Sequence, residues 1–69
     1  MVVKYFDAAL NDYDKAIELN PKLSFAYRAR GYLKELNGDK KEACMDYKKA
    51  DKYGDKSVKQ RMEFVCKGE

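Results

Sequence analysis

Between residues 5 and 19, Phe6, Ala9, Leu10, Tyr13, Ala16 and Ile17 recur at spacings of three and four. That period places them along one side of a helix, with Asp7, Asn11, Asp14 and Glu18 on the other. Asn20-Pro21 ends the element, because a residue before proline is pushed out of the right-handed helical region. A second helix is predicted over 24–37, with Ser24 as its cap and Gly38 at the left-handed position past its end. Its apolar residues are Ala26, Tyr27, Ala29, Leu33 and Leu36. Gly31 falls inside this helix, where it costs about 1 kcal/mol against alanine. Close approach of a neighbouring helix is the expected compensation.

Asp39 opens a third predicted helix over 40–53, and Glu42, three residues on, completes a variant capping box. Ala43, Cys44, Tyr47 and Ala50 form its stripe, and Gly54 closes it. Ser57 and Gln60 make a second capping box for a fourth helix over 57–67. There Val58, Met62, Val65 and Cys66 share one face, while Lys59, Arg61 and Glu63 look to water. Gly68 and Glu69 are expected to fray. Connections this short force neighbouring helices to run antiparallel. The expected fold class is therefore all-α, a single domain of antiparallel helical hairpins.

The pattern also repeats. Asp12-Tyr13-Asp14-Lys15-Ala16 returns as Asp46-Tyr47-Lys48-Lys49-Ala50, and Ala9 returns as Ala43, each 34 residues later. A fixed offset of that size marks a stacked helical repeat. The residues resemble the tetratricopeptide repeat (TPR) family. Tyr27, Gly31, Ala43, Tyr47 and Ala50 stand where that motif has a large aromatic, glycine, alanine, an aromatic and alanine. Ala9, Tyr13, Ala16 and Pro21 match the second half of a preceding repeat. The resemblance implies a fragment of an α-solenoid: 5–19 is the second helix of a partial repeat, 24–57 a full repeat, and 57–67 a capping helix.

Three departures from the motif stand out. Arg30 and Lys34 occupy slots usually held by Leu and Tyr; their stems are expected to lie on apolar surface with the charges in water. Asp55 replaces the closing proline. The first repeat lacks its first helix, which leaves Phe6, Leu10, Tyr13 and Ile17, with Val2, Val3 and Tyr5, only partly covered. Such a patch is expected to drive self-association into a homodimer through the 5–19 helix. The competing explanation is a fragment whose missing helix lies upstream of Met1.

Composition narrows the functions. Sixty-nine residues build a small core. The opening Met1-Val2-Val3-Lys4-Tyr5 is too short an apolar run for a signal peptide, and no stretch has the length to span a membrane, so a cytoplasmic location is expected. Fifteen basic and 12 acidic residues leave a net charge of only +3, a weak pull toward acidic partners. There is no histidine, the acidic pairs Asp12/Asp14 and Glu35/Asp39 are expected at ordinary surface positions, and the glycines are single, so no enzyme, metal site or cofactor is expected. Cys44 and Cys66 leave two states open, a disulfide or two half-buried thiols. The cytoplasmic expectation selects the thiols.

Two binding surfaces are candidates. In TPR proteins the first helix of each repeat lines a groove that grips a peptide or partner helix. By that resemblance Phe25, Arg28, Tyr32 and Glu35 face the groove, and their spacing puts them on one helical face. The alternative is that Phe25 and Tyr32 merely pack on a neighbouring helix or a dimer mate. The carboxylate-clamping role of some family members is not expected, because the required asparagines are absent. The other surface is basic: Lys41, Lys48 and Lys52, with Lys40, Lys49 and Lys56, form a patch for a nucleic acid or anionic partner, interrupted by Glu42, Asp46 and Asp51. The expected function is a non-catalytic protein-interaction module or scaffold, with the basic surface as the alternative.

Overall fold

The computed structural model describes the backbone of residues 3–67 and the side chains from Asp7 to Lys67. Every regular element among the described residues is helical: α1 (Val3–Leu19), α2 (Ser24–Leu36), α3 (Lys40–Lys52), a single 3-10 turn (Lys56–Val58) and α4 (Lys59–Val65). The expected all-α class is observed. The expected roles of Val2, Val3, Tyr5 and Phe6 in the apolar patch, and the fraying of Gly68 and Glu69, concern side chains or residues outside those described.

The α2–α3 hairpin is the centre of the molecule. Lys34 pairs with Glu42, Arg30 with Asp46, and Lys49 lies over Tyr27. Partner numbers fall along α3 as they rise along α2, so the helices run antiparallel. Gly31 sits at the seam, where a Cβ would come within 3.0 Å of the Tyr47 ring and 3.2 Å of the Ala43 carbonyl oxygen. Tyr27, Ala43, Cys44, Tyr47 and Ala50 are buried there and join Val58 and Val65 in one core cluster. α1 covers α2 from the other side and keeps Ala9, Leu10, Tyr13, Ala16 and Ile17 only half-buried. Pro21, in the connecting turn, is exposed, and its carbonyl accepts a 2.7 Å hydrogen bond from the Tyr27 hydroxyl.

Both internal turns use glycine at positive φ, Gly38 at 85° and Gly54 at 110°. Each carries the paired backbone bonds of a Schellman motif. Gly38 and Asp39 N–H groups reach the Glu35 and Lys34 carbonyls, and those of Gly54 and Asp55 reach Asp51 and Ala50.

The expected caps need correction. The residue before α2 is Leu23, Ser24 is already helical, and no side chain caps this end. Asp39 does stand before α3, but its side chain makes no capping bond, and Glu42 turns to Lys34 at 3.2 Å. The Ser57–Gln60 box does not form. Asp55 caps instead, accepting from the Ser57 backbone N–H at 3.1 Å. That earlier start winds the chain into a 3-10 turn, so α4 proper is only seven residues long rather than spanning 57–67.

Candidate functional site

The face of α2 predicted to bind a partner splits in two. Arg28 and Tyr32, with Ala29 between them, line a cleft of about 480 Å³. Tyr47 contributes from α3, and Ser57, Val58 and Arg61 close the far side. Phe25 and Glu35 do not line it. Phe25 is half exposed and meets Tyr13 edge-on, ring centroids 6.4 Å apart. Glu35 is partly buried, accepts the Tyr47 hydroxyl at 2.9 Å and pairs with Arg61 at 3.1 Å. Burial first, and then this bond to Glu35, raises the pKa of the Tyr47 hydroxyl.

Two ion pairs frame the cleft. Arg28 pairs with Asp55 at 3.1 Å, and Arg61 with Glu35 at the same distance. Both arginine side chains are 49% exposed, whereas the Asp55 and Glu35 side chains are 13% and 17% exposed. The rim therefore turns cations to solvent and carboxylates toward the protein. Arg61 also lies over the Tyr32 ring, 5.3 Å from its centroid, and leaves that residue 43% exposed. Arg61, assigned from the sequence to a water-facing side, is the charged cleft residue that the predicted groove set did not include. Its placement depends on where α4 docks, and no local signal carries that. Leu36 and Phe64 are exposed apolar residues on the same two helices.

A charge cluster on another side of α2, built around the buried Asp46 and shared with α1 and α3, alters the reading of Arg30 and Lys34. Neither charge is simply held in water. Arg30 donates from Nε and Nη2 to the two oxygens of Asp46, at 2.9 and 2.8 Å, and from Nη1 to Asp14 at 2.7 Å. Lys34 approaches Asp46 to 3.6 Å. Asp46 itself is only 4% exposed, so it does not interrupt a solvated face of α3. Its bonds raise the Arg30 pKa, against the desolvation that burial imposes, and Asp14 adds to the rise. Two cations on α2 therefore converge on one carboxylate of α3.

The thiol expectation is also corrected. Cys44 and Cys66 are joined in a disulfide that ties α3 to the end of α4. Cys44 is fully buried and Cys66 partly so. Lysines 40, 41, 48, 49, 52 and 56 are all exposed. Lys56 answers Asp51 at 3.3 Å. No helix among the described residues is long and apolar enough to cross a membrane. No protein-family model, curated protein or solved structure matches the chain.

Proposed function

We propose that this chain is a non-catalytic protein-interaction module of the TPR type, which holds a peptide or partner helix in the cleft between α2 and α4. The observation that carries the reading is the exposed Tyr32 ring between Arg28 and Arg61, over a floor that includes Ala29 and Val58. An aromatic flanked by arginines, with apolar surface beneath, is the composition that interfaces use for their strongest contacts. The 34-residue repeat and the small residues Gly31 and Ala43 at the α2–α3 seam support the TPR assignment. Peptide-display selection on the folded chain tests it. Enrichment that is lost with Tyr32→Ala and Arg28→Ala supports the cleft, and enrichment indifferent to both refutes it.

A second reading has its own observation. With Asp46 turned inward, the outer side of α3 keeps its exposed lysines with fewer opposing charges than the sequence suggests. An anionic partner, nucleic acid included, would bind there with affinity falling steeply as salt rises. A cleft-bound apolar peptide would not show that slope.

Self-association belongs to the same proposal. α1 leaves its apolar side half-covered, and Leu19 at its end is strongly exposed. A second copy packed along α1 completes that burial. On location, the disulfide argues for an oxidising compartment, and the cytoplasmic alternative requires the pair to be reduced there.

A further inference from the structure

We propose that the Cys44–Cys66 disulfide is a redox latch on the cleft, whose reduction releases α4 and takes the binding surface apart. The proposal rests on the reading of the cleft as the docking surface for its consequence in binding, but not for the structural change itself. α4 has seven residues, far short of the length at which an isolated helix holds in water. It stays folded through tertiary contacts: the buried Val58 and Val65, the partly buried Met62, the Arg61–Glu35 pair, and the disulfide. The crosslink joins residues 22 apart. Closing a loop of that length restricts the open chain on the order of a hundred-fold. A helix so short, with only Val65 of its own residues buried, is also where local opening is easiest. The α2–α3 hairpin, by contrast, has its own seam at Gly31 and its own ion cluster at Asp46. Removing the crosslink therefore weakens α4 first.

The consequence falls on the cleft because Arg61 of α4, with Ser57 and Val58 of the 3-10 turn that leads into it, forms one wall. Ser57, Val58 and Arg61 face Arg28, Ala29 and Tyr32 across it. Once α4 departs, Tyr32 loses the guanidinium over its ring, and Glu35 loses its cation. A reductant has a way in. A surface hollow of about 390 Å³ between α3 and α4 reaches Cys66, while Cys44 is sealed. The thiolate of a cellular or chemical dithiol attacks the Cys66 sulfur. The Cys44 sulfur leaves as a thiolate and takes up a proton. The second thiol of the reductant then resolves the mixed disulfide, freeing Cys66 and leaving the reductant as a disulfide. Two electrons and two protons pass to the protein.

Amide hydrogen exchange by NMR on the oxidised and dithiol-reduced chain tests the latch, with Cys66→Ser as a variant that cannot reoxidise. The expected result is exchange on the order of a hundred-fold faster across 59–65 in both the reduced chain and the variant. The α2 and α3 amides keep most of their protection, and the ring-current shifts that Tyr32 imposes on Arg61 collapse. Unchanged protection in α4 overturns the proposal. So does equal loss of protection in all helices, which would make the bond a staple of the whole fold. No peptide enters this measurement, so a display selection that fails on the oxidised chain counts against the docking reading alone.

Discussion

Gly31 faces Tyr47 across the α2–α3 seam with no room for a side chain. A Cβ at residue 31 would lie 3.0 Å from two atoms of the tyrosine ring and 3.2 Å from the backbone oxygen of Ala43. The ring is buried and held by its hydroxyl on Glu35, so it has little freedom to withdraw. Gly31→Leu is expected to destabilise by about 1–3 kcal/mol through overpacking, in spite of leucine's better helix propensity. Urea denaturation measures it. A leucine variant more stable than the parent would mean that the helices do not approach as described.

The Arg30–Asp46 pair should be costly to break and much less costly to remove. Arg30→Leu strands a nearly buried carboxylate. With Lys34 still 3.6 Å away, the loss should lie near the lower end for buried pairs, about 3 kcal/mol. Replacing both, as Arg30→Leu with Asp46→Leu, should recover much of it. A double-mutant cycle reads the coupling, and purely additive losses would show that the cluster is not coupled.

Asp55 carries two duties with one carboxylate: Oδ1 caps the 3-10 turn and Oδ2 pairs with Arg28. Asp55→Ala should cost about 1 kcal/mol, chiefly from the cap. Asp55→Asn keeps an acceptor oxygen and should restore most of that stability. Asparagine and alanine variants of equal stability would rule out the cap as the cause.

Alkali should unfold the chain by way of its buried tyrosines. Tyr27 and Tyr47 both have pKa values raised from the ordinary 10.0, primarily by burial. A folded-state pKa above the unfolded one means that the folded chain holds its proton more tightly. The associated stability is complete below pH 10 and is lost as pH rises through the folded values. Denaturation midpoints should therefore fall above pH 10, together with late ionisation seen in the ultraviolet. Tyr47→Phe removes one late-titrating group. If the midpoints of parent and variant do not fall above pH 10, the assignment fails.

The half-covered side of α1 predicts a concentration-dependent dimer. Sedimentation at micromolar concentration should show association, and Leu10→Glu on the half-buried side should weaken it. A well-folded parent that stays monomeric throughout refutes the dimer.

Features that depend on near neighbours were legible in the amino-acid sequence. Helical periodicity, the Asn20-Pro21 break and the glycines at 38 and 54 act within a few residues, so four helices and their turns could be read directly. The crowding at Gly31 was legible too, because a mid-helix glycine is unfavourable without a tertiary reason. Competition between neighbouring caps was less legible: Asp55 and Ser57 both fit an N-terminus, and the earlier one prevailed by meeting both a backbone N–H and Arg28. Contacts across the helices were not legible in the sequence and follow from the packing. Arg30 and Asp46 meet from 16 residues apart, Arg61 reaches Glu35 from 26, and Cys66 bonds Cys44 from 22. Each of those side chains has a solvated alternative that satisfies it equally well locally. The choice between them is made by which helix packs beside it, because burial removes water as a partner and leaves the neighbouring charge or sulfur in its place.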